Sequence, residues 1–316
     1  MVQDFSKAEN EGEILSMKYV VVLPAKNEEQ NIQDAIESIV KQTIGPRYVL
    51  VIDDNSSDGT LDIVTSIEQE YPVVNHYRNK SEQAYELGGH VVRLFVEGKR
   101  QIDSKGIDYD WIIKMDADLE CEPDFMEKIE DRIRGLRVGI VSGTPYFEED
   151  RKRIYDTSPS WHTHGQFKIY NAECFRQVGG PREHLGWDCA DNVRAISAGW
   201  QCLAIHDVNY LMHRRVGGNT SNKEGRINHG IGCYITGFDM GYFSLKVLHD
   251  IFKPPVLVGA ISLVRGYLRA AVKGYPKVLS KDERRLIRKL LWSSFWIRLK
   301  DMDFVILQKL NVRKTQ

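Results

Sequence analysis

No two cysteines of this chain form a Cys-x-x-Cys pair, and the five present (Cys121, Cys174, Cys189, Cys202 and Cys233) are an odd, scattered set. That spacing excludes a zinc ribbon or a dithiol redox centre and fits the reduced thiols of a cytoplasmic protein. An uncharged apolar run long enough to span a bilayer is missing too: the nearest approach, Pro254 to Val272, is interrupted by Arg265 and Arg269. A secretory leader is not expected, because Met1 to Ser16 is polar and acidic where a leader needs a basic start and an apolar centre. That stretch reads as a disordered tail. A surplus of either charge is missing as well: 43 basic against 44 acidic residues leave a formal net charge of -1, so no global field points to nucleic acid. Finally, no Gly-x-Gly-x-x-Gly follows an apolar run, which argues against a dinucleotide-dependent oxidoreductase.

What is present is an ordinary globular composition on 316 residues, enough to bury a full core without disulfides or structural metals. Tyr19 to Leu23 is a continuous, β-branched apolar run, as a strand covered on both faces requires. Ile32, Ala35, Ile36, Ile39 and Val40 then fall at helical spacing, and Tyr48 to Ile52 supplies a second strand. The alternation continues with a helix from about Leu61, a strand at Val73 to Tyr77, a helix through Leu87, Val91, Leu94 and Phe95, and a strand at Trp111 to Met115. A helix over Pro123 to Gly135 and a strand at Val138 to Val141 follow. This order predicts an α/β, Rossmann-like doubly wound sheet, whose ligands gather beyond the carboxyl ends of the strands.

The residues after those strands are unusual. Pro24-Ala25-Lys26-Asn27-Glu28 leads into a helix whose first N–H groups are unpaired; Asn27 or Glu28 could bond a base or ribose, or the loop could be a plain N-cap. Asp53-Asp54-Asn55-Ser56-Ser57-Asp58-Gly59-Thr60 offers carboxylates to a nucleobase N–H or to ribose hydroxyls, with Asp58 or Thr60 capping the next helix. In Asp116-Ala117-Asp118 the period of two puts both carboxylates on one side, and their repulsion calls for a cation, Mg²⁺ or Mn²⁺ suiting hard oxygens. Asp188, in Gly186-Trp187-Asp188-Cys189-Ala190-Asp191-Asn192, opens a helix whose dipole favours an ionised carboxylate and is placed to act as a general base; Asp188 or Asp191 could equally be a capping acid. His213 could complete a metal shell while Arg214 and Arg215 clamp a diphosphate, or the three could be structural and surface residues.

Taken in order, V-V-V-L-P-A-K-N-E-E, V-I-D-D-N-S-S-D-G-T, M-D-A-D, G-W-D-C-A-D and the later histidine resemble family two of the inverting GT-A glycosyltransferases, over Lys18 to Gly218. The resemblance implies a GT-A fold and an enzyme that moves a hexosyl-like group from a nucleotide-sugar donor to a hydroxyl of a glycan or lipid-linked acceptor. It implies that Pro24, Ala25, Asn27, Glu28, Asp53 and Asp54 surround the nucleoside, with Asp116 on the ribose or the metal. Asp118 would hold Mn²⁺ or Mg²⁺ on the diphosphate, His213 would be a late metal or phosphate contact, and Arg214 and Arg215 would face the phosphates. Asp188 would take the acceptor proton in a single inverting displacement. Trp187 stands where the family usually has an acid and is available to stack on a sugar; it and Asp191 are expected on the acceptor side. The segment Arg78-Asn79-Lys80-Ser81-Glu82 departs from the family's glycine-rich form, so sugar specificity does not carry over.

These expectations divide the chain into a tail at 1–16, a catalytic domain at 17–245 with a nucleotide-sugar half to about 145 and an acceptor half from about 146, and a helical C-terminal extension at 246–316. In the extension Val256, Ala260, Val264, Leu268 and Ala271 alternate with Arg265, Arg269 and Lys273, and Arg284, Arg285, Arg288 and Lys289 run into Trp292, Phe295 and Trp296. This 254–300 stretch either packs on the catalytic domain or makes a peripheral contact with the cytoplasmic membrane face. Two rivals differ in class. A sugar nucleotidyltransferase would resemble its kin in a glycine-rich loop after the first strand, which P-A-K-N-E-E lacks; an inactive nucleotide-sugar or glycan-binding module would keep the pocket without turnover.

Overall fold

The computed structural model describes residues 16–79, 89–214, 222–251 and 257–312. Four strands, β1 (Tyr19–Ala25), β2 (Tyr48–Asp53), β3 (Val74–Arg78) and β4 (Trp111–Met115), pair in parallel in the order β3-β2-β1-β4. Every residue of β1 and β2 is buried, because helices cover both faces. Alternate residues of β1 feed two cores. Tyr19, Val21 and Leu23 meet Ile32, Ile36 and Ile39 of α1 (Ile32–Val40), Val64 and Ile67 of α2 (Thr60–Glu70), and Phe125 and Ile129 of α4 (Phe125–Ile133). Val20 and Val22 meet Leu94, Phe95 and Ile102 of α3 (His90–Ser104) and Phe175 of α5 (Ala172–Val178).

Beyond β4 the sheet becomes mixed. β8 (Phe167–Asn171) pairs antiparallel with β4, and β6 (Val138–Glu149) pairs antiparallel with β8. β9 (Gln201–Met212) joins β6 in parallel, the short β5 (Leu119–Cys121) closes the far edge on β9, and β7 (Lys152–Tyr155) pairs with β6. The strand expected to stop at Val141 runs to Glu149: Gly143 and Pro145 look like breakers in sequence, yet Thr144 to Tyr146 continue the ladder against Asn209 to Leu211. Gly143 is needed there because a Cβ would stand 2.6 Å from the Val208 carbonyl. The order steps from β1 to β2 on one side and to β4 on the other, so a switch-point crevice opens at the ends of β1 and β4.

After β9, helices follow one another: α7 (Asn222–Thr236), α8 (Met240–Asp250), α9 (Val258–Val272) and α10 (Lys281–Val312), with position 246 falling inside α8. α10 packs Ile287 and Leu291 onto Ala190 and Val193 of α6 (Trp187–Ser197). Gly266 of α9 lies so close to the Ile227 carbonyl of α7, and Gly230 of α7 to the Leu263 carbonyl of α9, that a Cβ at either would collide. Among the described residues no helix is long and apolar enough to cross a membrane. All five cysteines are free and buried.

Candidate active site

The loops after β1 and β2 are laced to each other. Asn27, in the left-handed region at φ 55°, donates its N–H to Ser56 Oγ (3.0 Å) and accepts at Oδ1 from the Ser57 N–H (2.8 Å). The Glu28 N–H goes to Thr60 Oγ1 at 2.7 Å, and the Gly59 N–H to Glu29 Oε2 at 2.9 Å. The two neighbouring aspartates then divide. Asp53 is fully buried and accepts the Ser56 N–H at Oδ1 (3.0 Å), while its Oδ2 has no hydrogen-bond partner among the described residues and an ion pair to Arg78 at 3.5 Å. Asp54 has its oxygens taken by Asn79 Nδ2 (2.8 Å), His90 Nε2 (2.7 Å) and Lys26 Nζ (3.1 Å). Burial alone would raise its carboxyl, but those bonds outweigh burial and hold it below the usual range. Asp54 therefore also braces the loop against Asn79 and His90. Pro24 and Ala25 lie within β1, whose residues are all buried.

At the end of β4, Asp116 is paired with the buried Lys114, whose Nζ also donates to the Gly165 carbonyl at 2.9 Å. Burial pushes the Asp116 carboxyl up; Lys114 draws it down, and the nearby Asp118 and Glu28 push it up again, leaving it above the ordinary value. Asp118 and Glu28 share one cation: the Arg214 guanidinium donates from Nε to Asp118 Oδ2 at 3.1 Å and from Nη2 to Glu28 Oε1. His213 gives its backbone N–H to the Asp118 carbonyl at 3.0 Å, while its ring engages Glu120. Arg215 lies outside the described residues. Among the described residues no three His, Cys, Asp or Glu side chains gather as a metal-ligand set. The carboxylates of Glu28 and Asp118, brought together on one guanidinium, fit Mg²⁺ or Mn²⁺, which takes one or two protein carboxylates and completes its shell with phosphate and water.

Asp188 opens α6 behind Gly186, which is left-handed at φ 69°. Its side chain is 35% exposed, and His162 Nε2 stands 3.9 Å from Oδ2. Burial would raise its carboxyl, but His162, Lys168, the Cys189 N–H and His229 together hold it below the usual range. Burial lowers the basicity of His162 itself, so that ring adds positive charge only once protonated. Gly165 is the hinge between the two carboxylate groups. A Cβ there would lie 3.1 Å from Asp188 Cβ and 3.2 Å from the Trp187 ring, while its carbonyl holds Lys114 beside Asp116.

Asp191 and Trp187, expected on the acceptor side, are both buried. Asp191 is wholly buried, bonded to Lys168 Nζ at 2.5 Å and Tyr170 OH at 2.6 Å, because its place in α6, one turn deeper than Asp188, lies over β8. Trp187 is only 7% exposed; Lys114 and Lys168, register partners across β4 and β8, set their ammonium groups 5.7 and 5.3 Å from its ring. An indole serves here because an aromatic face eases two buried cations at once. Sequence reasoning missed Lys114, His162, Gly165 and Lys168. The His162-Thr163-His164-Gly165 alternation just before β8 was the available signal.

A sheet with parallel strands on one side, a mixed half on the other and carboxylates at the switch point has the architecture of the GT-A glycosyltransferases. Residues 20–184 match the profile of glycosyl transferase family 2, and the chain belongs to that family. A dolichol-phosphate mannosyltransferase of Pyrococcus furiosus is 29% identical over 128 residues, which is 40% of this chain and 33% of that protein, so the chain matches about a third of the relative's length. Among solved structures, the mannosyltransferase PcManGT from Pyrobaculum calidifontis, in complex with GDP-Man and Mn²⁺, superposes with a TM-score of 0.53 at 16% identity, covering 91% of this chain and 88% of that one. GalNAc-T7 with UDP, GalNAc and Mn²⁺ gives 0.54 at 14% identity over 81% and 55% of the two chains. S. aureus TarS 1-349 in complex with UDP-GlcNAc gives 0.52 at 15% identity over 85% and 78%. These structures share the fold.

Proposed function

We propose that the chain transfers a sugar from a nucleoside-diphosphate sugar to a hydroxyl of a glycan or lipid-linked acceptor, in one inverting displacement assisted by a divalent ion. The observation that carries this reading is the position of Gly165, with Asp116 tied to it through Lys114 and Asp188 packed against its other side. A sugar seated over Gly165 would have the β4 carboxylates toward its diphosphate and Asp188 toward its incoming alcohol. The metal and nucleotide sugars named in the complexes of the fold relatives agree with it.

In this reading the nucleoside lies along the ends of β1 and β2, where Asp53 Oδ2 accepts a base N–H. Asp118 and Glu28 would hold Mn²⁺ or Mg²⁺, Arg214 would face the diphosphate, and Asp116 would lie on the ribose or the ion. When bound, the ion offsets the charge that collects on the departing diphosphate. Asp188 accepts the proton of the acceptor hydroxyl as that oxygen's lone pair forms a bond to the anomeric carbon. The bond from that carbon to the diphosphate oxygen breaks with its electron pair, and the configuration inverts. A carboxylate held below the usual range is fully ionised at neutral pH and ready for that role.

Incubation with Mn²⁺ and a panel of nucleotide sugars tests the proposal. Wild type should hydrolyse one donor slowly, and Asp188→Asn should lose about 100-fold or more of that rate. The variant should keep its nucleotide-induced thermal shift. Turnover unchanged in Asp188→Asn would overturn the assignment, and binding without turnover by wild type would leave a binding module.

A further inference from the structure

From Ile251 to Lys281 the sequence contains no Asp or Glu, yet it carries Lys253, Arg265, Arg269, Lys273, Lys277 and Lys281. α9 lies in this acid-free stretch. Its inner face is small and buried, through Gly259, Ala260, Ser262, Gly266 and Ala270, and sits tightly on α7. A helix anchored on one side ordinarily shows a charged or polar face to water on the other. On α9 that face is mixed instead: Val258, Ile261, Leu268 and Val272 are 47, 65, 49 and 87% exposed, and their spacing sets them along one outward stripe. Arg265 and Arg269 are exposed in the same arc.

We propose that this outer face of α9 lies in the interface of an anionic bilayer, with Ile261, Leu268 and Val272 entering the acyl boundary and Arg265 and Arg269 meeting lipid phosphates. The sign of the charge selects the occupant: Arg265, Arg269 and the C-cap Lys273 are exposed on a helix that carries no acid, and they attract a negatively charged lipid surface. The placement also has a use. α7, on which α9 rests, lies against Gly186 at the start of α6 through Gly232 and Thr236, so one helix separates the stripe from Asp188. An acceptor carried by lipid would reach the base from that side. The membrane face is read from α9 alone and does not rest on the transferase chemistry.

Flotation of the full chain with phosphatidylcholine vesicles, with and without phosphatidylglycerol, tests it. Wild type should float with the anionic vesicles, with roughly tenfold less on pure phosphatidylcholine, and added salt should weaken binding. The double variant Ile261→Glu/Leu268→Glu should lose flotation about tenfold or more while keeping its melting temperature, since both positions are exposed. Absence of wild-type flotation at low salt, or equal flotation by the double variant, overturns the proposal. So does sedimentation showing a wild-type dimer that the double variant converts to monomer, because a second copy would then be what covers the stripe.

Discussion

At the scale of single residues, neighbouring acids of the same type have opposite fates. Asp188 and Asp191 share one helix start, but the first stands at the exposed end and the second, one turn deeper, lies over Lys168 and Tyr170. Asp53 leaves one buried oxygen without a hydrogen bond among the described residues, facing Arg78, while both oxygens of Asp54 are bonded. His164 follows the same logic: it is buried, its N–H bonds Ser142 Oγ at 3.1 Å, and burial pushes its basicity down to about 3. An unfolded histidine titrates near 6.5, so between those two values the unfolded chain binds the extra proton. Stability from this group is thus complete above about pH 6.5 and falls as pH drops toward 3. Going from pH 7 to 5 should cost about 2 kcal/mol through His164, read by urea denaturation. His164→Gln should flatten that part of the profile, and an equal pH dependence in the variant would refute the account. None of these distinctions was legible in the sequence, because each depends on which strand lies beneath the side chain.

At the scale of elements, the parallel half was legible and the mixed half was not. Tyr19 to Leu23 and Tyr48 to Ile52 are apolar on both faces and announce themselves, as do Trp111 to Ile113 and the amphipathic spacings of α1 and α3. β6 looks shorter in sequence because Gly143 and Pro145 mimic a turn, and β8, with Lys168 fully buried at its second position, does not look like an interior strand. The burial of that lysine depends on Asp191, which comes later in the chain. The α7–α9 contact is equally silent in sequence, since Gly230 and Gly266 matter only once the helices meet. Gly266→Val should separate the two helices and destabilise the chain by about 1–3 kcal/mol. Hydrogen exchange would be expected to rise in α7 and α9 before it does in β1 or β2; unchanged protection there would contradict the packing.

At the scale of the whole molecule, Arg214 ties the end of the sheet's last long strand to Glu28 at the mouth of the first, a closure between residues 186 apart in sequence. The five motifs were visible in order, which is why the overall site could be anticipated; that a guanidinium bridges two of them could not, because either carboxylate alone would satisfy it. Arg214→Ala should leave Glu28 and Asp118 facing each other without a shared cation and lower the melting temperature. Mn²⁺ alone should then stabilise the variant more than wild type, a comparison that calorimetry with and without a chelator would make. Equal metal response in both proteins would mean that the two carboxylates do not compete with an ion.

The five enclosed sulfurs carry a last consequence. Burial pushes the thiols of Cys174 and Cys233 up to about 12 and those of Cys121, Cys189 and Cys202 upward as well. Oxidants and electrophiles attack the thiolate, so these side chains offer them almost nothing to react with. The chain would keep the same covalent state in a glutathione-rich or an oxidising milieu, and its cysteine pattern therefore carries no information about where it works.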